Sequence, residues 1–253
     1  MFFGIDLNQT FSFPFKDAES RKYFLIGCLV SLTAFIIPIL PFFLLYGYAI
    51  RIVKQIMNNE SPRMVAWDDW GGMFKDGARM FGVRIIYSIP ILILTTPLFI
   101  SSIVMPIFMS NSNGSEMDAL FPALMLIMLC TMCILIPFSF LLAVIIPAAE
   151  MHVVDKDEFA AGFRIGEWWP ILRANLSGFV AAFAIYMVSA MILGFAVQFI
   201  GATLIFACLL PFLLPAVTMY ILLIMYTTIA QAYKVGKEKL ALVEINPVAV
   251  VEQ

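Results

Sequence analysis

The chain is poor in charge and has almost no histidine. Lys, Arg, Asp and Glu make up 13% of its 253 residues against 62% hydrophobic, and His152 is the only histidine. Ordinary soluble domains carry about 25% charged residues, so the deficit excludes that class and places the chain among membrane proteins. A net charge of -2 leaves no basic footprint for nucleic acid. A single histidine excludes a His-Glu-x-x-His metal site, and no Gly-rich phosphate loop is present. The acidic residues all lie at boundaries or in loops, which excludes the paired intramembrane aspartates of an aspartyl protease. The four cysteines, Cys28, Cys130, Cys133 and Cys208, lie inside apolar runs. Without a second ligand pair, Cys130-x-x-Cys133 reads as helix packing rather than a zinc or redox site. No disulfide framework, metal or cofactor is expected. Met1-Phe2-Phe3 with Asp6 offers neither a basic start nor a small-residue cleavage site, so no removable signal peptide is expected.

What the chain does have is long uncharged runs, each approached by a charged, aromatic-bearing lead-in segment. Asp68-Asp69-Trp70, Phe74-Lys75-Asp76-Gly77 and Arg84 return 89 residues later as Asp157-Glu158-Phe159, Phe163-Arg164-Ile165-Gly166 and Arg173, and Phe15-Lys16-Asp17-Ala18 is a fainter copy. This is the pattern of an internally repeated membrane protein. Trp70, Met73, Phe74, Gly77, Met80 and Phe81 recur at helical spacing, and Phe159, Phe163, Gly166 and Trp169 do the same in the second copy. Such a helix is expected to lie in the membrane interface, the alternative being an amphipathic helix packed on protein. Gly77 and Gly166 hold the same repeat position and are candidate close contacts with a spanning helix.

Span lengths set the topology. Residues 23–50 are uncharged and would make roughly 42 Å of straight helix, well over the ~30 Å hydrocarbon core. They form either one kinked span or a hairpin turning at Pro38 to Pro41. Arg21 and Lys22 before the run and Arg51 and Lys54 after it favour the hairpin, which keeps all four on one side. Residues 85–109 and 119–149 give one span each, joined by a loop from Ser110 to Glu116 that contains no Lys or Arg. Residues 174–233 are uncharged and hold two spans breaking near Phe199 to Ala202, with Pro211 and Pro215 read as a kink in the last helix. Leu40-Pro41-Phe42, Ile136-Pro137-Phe138 and Leu210-Pro211-Phe212 would each mark a return helix.

The expected fold is therefore all-α: a polytopic helical membrane domain spanning residues 1–253, with six spans as three hairpin-like repeats (about 11–57, 66–152 and 155–234), interfacial amphipathic helices and a tail from 235 to 253. All fifteen Lys and Arg residues then fall on the cytoplasmic side of the cell (inner) membrane, with both termini. Gly47-Tyr48 leading to Arg51-Ile52, then Asn59-Glu60-Ser61-Pro62, Trp67-Asp68-Asp69-Trp70-Gly71 and Phe74-Lys75-Asp76-Gly77, resembles the DUF4013 family of prokaryotic integral membrane proteins. The resemblance implies a multi-span protein and carries over no catalytic or binding residue.

Function is read in two ways. The first is a non-enzymatic membrane subunit or scaffold that docks lipid or a partner, another membrane subunit or a second copy, through Trp67, Trp70, Phe74, Phe163, Trp168 and Trp169, with Trp67 and Trp168-Trp169 as exposed anchors. The second is a small-solute transporter or channel using Ser101, Ser102, Thr131, Ser139, Gln198, Thr203 and Thr218 as a neutral path. Glu150 and His152 are the only close titratable pair, and interfacial solvation is their expected state.

Overall fold

The computed structural model describes residues 2–111, 114–203 and 206–245. Among them the chain folds into eight α-helices joined by turns and short 3-10 segments: α1 (Leu7–Ser12), α2 (Ala18–Leu32), α3 (Leu40–Met57), α4 (Trp70–Asn111), α5 (Gly114–Lys156), α6 (Ile165–Ala174), α7 (Leu176–Ala202) and α8 (Leu210–Ile245). Five are long and apolar enough to cross a membrane, and these are α3, α4, α5, α7 and α8. The fold is all-α, as expected. At fifteen residues, or roughly 22 Å, α2 falls short of a full span, so five rather than six helices meet the length requirement.

Breaks occur where backbone chemistry demands them. The run 23–50 divides at residues 33–39, where a 3-10 turn is followed by Ile39 at φ 80°. Proline then starts α3 at Pro41, where its missing N–H costs no helical bond. Pro211 occupies the same position at the start of α8, so it opens that helix and does not kink it; only Pro215 lies inside. Pro137 differs from both, since it falls in the middle of α5. The two long central helices show no division between lead-in and span. Trp70 to Asn111 is one helix despite Pro90, Pro97 and Pro106. Of the expected loop from Ser110 to Glu116, Ser112 and Asn113 lie outside the described residues, and helix reaches both of their flanks.

The chain divides into two compact units, Met1–Val83 with Pro147–Gln253, and Arg84–Ile146. The second consists of the later part of α4 and the earlier part of α5. In it, large apolar side chains such as Ile93, Phe99, Leu126 and Leu129 are exposed, the state a helix adopts when lipid is its solvent.

The first unit is built around α8, which packs against α1, α2, α3, α6 and α7. From Met219 to Tyr233 most of its side chains are buried, including Leu223, Ile224, Tyr226, Thr227, Thr228, Ala230 and Tyr233. Small residues among them let neighbours come close, and hydroxyls of Thr227 and Thr228 bond back to carbonyls of their own helix. Around this helix, Phe13, Phe24, Leu45, Tyr48, Ile52, Trp67, Met73 and Met219 form one apolar core. The N-terminal lead-in packs on it as well. Asp6 caps α1, its own N–H donates to Gln231 Oε1 at 2.7 Å, and Gln231 Nε2 donates to Thr10 Oγ1 at 3.1 Å.

Candidate functional site

The two lead-in segments share letters but not local structure. In the first, Asp69 caps α4, its carboxylate accepting from the Gly72 N–H at 2.9 Å. Phe74 to Gly77 then lie inside the helix. In the second, Asp157 sits at φ 52°, a 3-10 turn covers Phe159–Phe163, and α6 begins only at Ile165. One edge of the stripe of the first copy faces protein. Met73, Gly77 and Met80 are buried, whereas Trp70 and Phe74 stay exposed. An amphipathic helix packed on α3 is thus the reading that describes these turns, rather than one lying free in the interface.

Gly77 is a close contact and Gly166 is not. A Cβ on Gly77 would overlap the Phe43 carbonyl oxygen and sit 2.8 Å from Gly47 N, and one on Gly47 would overlap the Met73 carbonyl oxygen. Here α3 and α4 cross backbone against backbone. At Gly166 an added Cβ would meet nothing within 4 Å. The shared repeat position therefore carries no shared packing role.

Two of the expected anchors point inward. Trp67 stacks on Tyr48 with ring centroids 4.1 Å apart and 12° between planes, and its Nε1 donates to the Tyr23 carbonyl at 3.0 Å. Tyr48 completes the clamp, donating its hydroxyl to the Val65 carbonyl and accepting from the Val65 N–H. Trp168 is 1% exposed, and its Nε1 donates to the Gly162 carbonyl at 3.1 Å. Both indoles hold their segments down from within, because a buried ring N–H requires an acceptor and each finds a backbone carbonyl nearby. They are internal anchors and offer no docking surface. Trp70, Phe74, Phe163 and Trp169 remain 36–43% exposed.

Charge knits the same end together. Arg51 pairs with Asp69 at 2.6 Å and reaches Asp76 at 3.8 Å, while Asp157 takes Lys54 at 3.3 Å and Arg79 at 3.5 Å. Asp157, the second-copy partner of Asp68, thus lies against the cations of the first copy. These pairs are partly exposed, and each contributes at most ~1 kcal/mol.

A second polar cluster overturns the expected solvation of Glu150 and His152, which are 0% and 2% exposed. The Tyr226 hydroxyl donates to Glu150 Oε2 at 3.2 Å. His152 is engaged on both ring nitrogens, Nδ1 with the Tyr233 hydroxyl at 2.7 Å and Nε2 with Glu167 Oε2 at 3.0 Å. The bond to His152 holds the exposed Glu167 carboxyl below its ordinary range, and Arg164 adds to the effect. Asn175, at the break between α6 and α7, donates to the Ala232 carbonyl at 2.9 Å and accepts from Lys239 at 2.8 Å. The end of α5, the corner at Asn175 and α8 are thus joined by a polar bracket. With both nitrogens bound to its own chain, the imidazole serves as a strut. Sequence reasoning missed Tyr226, Gln231, Tyr233 and Asn175. The one signal was the run of polar residues from Tyr226 to Tyr233 inside an apolar stretch.

Four of the six hydroxyls proposed as a neutral path are spent locally. Ser101, Ser102, Ser139 and Thr203 each bond the carbonyl three residues earlier in the chain, the usual way such side chains satisfy helix backbone in lipid. Among the described residues no cluster of His, Cys, Asp and Glu could hold a metal ion.

No curated protein and no solved structure matches the chain. The model of one family, a protein of unknown function (DUF4013), matches residues 30–206. That region takes in both lead-in segments, the Gly47–Gly77 crossing and the Trp67–Tyr48 clamp. It is well over half of the chain, which therefore belongs to the DUF4013 family.

Proposed function

We propose that the protein is a non-enzymatic integral membrane subunit or scaffold whose lead-in segments dock lipid or a partner at the cytoplasmic face. The observation that carries this is the split among the aromatics. Trp67 and Trp168 fix the two segments from inside, and Trp70, Phe74, Phe163 and Trp169 are left at the surface beside a network of ion pairs. Exposed aromatics on a rigid support are suited to binding, since little conformational freedom is lost when they are covered. The partner is another membrane subunit or a second copy of the chain. Photo-crosslinking from positions 70 and 169 of the full chain in native membranes is expected to yield a discrete protein or lipid adduct, lost when Phe74 and Phe163 are changed to Ala. Saturable, Gln198-dependent solute flux by the chain alone in vesicles would overturn this reading in favour of transport.

The six-span, three-hairpin topology with both termini inside belongs to the same proposal. Its support is contact between polar segments distant in the chain of the first unit: the Asp6 N–H with Gln231, Lys54 with Asp157, Lys237 with Asp155. Segments in contact share a side of the membrane, which supports a chain that leaves and returns between Lys22 and Arg51. On this reading α2 and α3 form a hairpin, with α2 its short arm.

A further inference from the structure

Beside the His152 bracket lies an open cleft of about 570 Å³, lined by the end of α5, the start of α6 and the last turns of α8. Three cations reach it from these three elements: Lys156, Arg164 and Lys237. Lys237 is bound by Asp155, and Arg164 by Glu158 and Glu167. Lys156 makes no ion pair within 4 Å among the described residues. The carboxylates of Asp155 and Glu167 line the cleft as well, and Lys156 helps to hold Glu167 low through space, but its ammonium is the one cation of the lining with no carboxylate in direct contact among the described residues. Gly166 supplies bare backbone on the α6 wall, where a side chain would otherwise stand in the open space.

We infer that this cleft binds the phosphate-bearing headgroup of an anionic membrane lipid, with Lys156 and the Gly166 backbone as its principal contacts. The location argues for a lipid rather than a free anion. The cleft is at the polar end of α5 and α8, both candidate spans, and the neighbouring Trp169 is partly exposed, as tryptophans are at headgroup level. The inference rests on reading that end as a membrane face but not on the docking role of the aromatics.

The test uses the full chain in nanodiscs of phosphatidylcholine doped with phosphatidylglycerol, counting phosphatidylglycerol retained per protein by native mass spectrometry. Lys156→Gln is expected to lower retention about fivefold, the scale of one basic residue at an anionic surface. Gly166→Leu should lower it similarly by filling the cleft, and Lys156→Arg should restore it. Lys16→Gln and Lys22→Gln, outside the cleft, should change nothing. Equal loss from those two variants would overturn the site, since general surface attraction would then suffice, and so would retention unchanged in both Lys156→Gln and Gly166→Leu. If inorganic phosphate added to the doped nanodiscs leaves the retained phosphatidylglycerol unchanged, the lipid source stands. Displacement of the retained lipid by phosphate at matching concentration would overturn it. Since Trp70 and Phe74 are untouched throughout, failure here is separable from failure of the docking proposal.

Discussion

Adding one methyl group at Gly77 should break the crossing of α3 and α4, while the same methyl at Gly166 should help. At Gly77 the new Cβ meets the Phe43 carbonyl and the Gly47 amide. Both are backbone, so no rotamer change relieves the overlap and the helices must separate. Overpacking of this kind costs roughly 1–3 kcal/mol and sometimes more, and backbone-on-backbone overlap belongs at the upper end. Alanine recovers ~1 kcal/mol of helix propensity. The net loss for Gly77→Ala is then about 2 kcal/mol, or roughly thirtyfold in the unfolding equilibrium. At Gly166 nothing opposes the propensity gain, so Gly166→Ala should stabilise by a few tenths to ~1 kcal/mol. Unfolding of the full chain by sodium dodecyl sulfate in mixed micelles, followed by tryptophan fluorescence, measures both. Gly77→Ala as stable as the parent would refute the crossing; a Gly166→Ala loss as large as that at Gly77 would refute the difference between the two sites.

Trp67→Ala should cost roughly 3–5 kcal/mol, as for other buried large aromatics, and Trp67→Phe about 1–2 kcal/mol for the Tyr23 carbonyl left without its donor; the same unfolding assay separates this from a surface residue, whose loss would be near zero. Because Glu167 is held below its ordinary carboxylate value, the bracket contributes stability above that value and loses it as pH falls through the lowered one. Melting curves below about pH 4.5 should therefore drop less steeply in Glu167→Gln than in the parent, and parallel curves would remove the bracket from the account. In a background without the native cysteines, Ser110→Cys should react with an impermeant reagent from outside intact cells and Glu19→Cys should not. Labelling at position 19 would sink the even-span topology.

The sequence by itself determined what depends on local chemistry and on length. Helix breaks at Pro38 to Pro41 and near Phe199 to Ala202, the segregation of charge from the apolar runs, and the helical periodicity of the stripe from Trp70 to Phe81 were all legible, because span length, proline geometry and helical periodicity act within a few residues of one another. Which face of a segment meets protein was not. Trp67 and Trp70 lie three residues apart, yet one is clamped on Tyr48 and the other exposed; Gly77 and Gly166 match in the repeat, yet only the first touches another backbone. The burial of Glu150 and His152 was invisible for the same reason. Their partners Tyr226 and Tyr233 come 76 and 81 residues later in the chain, and the stretch that carries those tyrosines read only as the end of a long apolar run. Only the tertiary structure made that stretch, the middle of α8, the centre of the first unit: a helix flanked on several sides buries polar and apolar residues alike, and nothing in its own sequence says how many neighbours it will have.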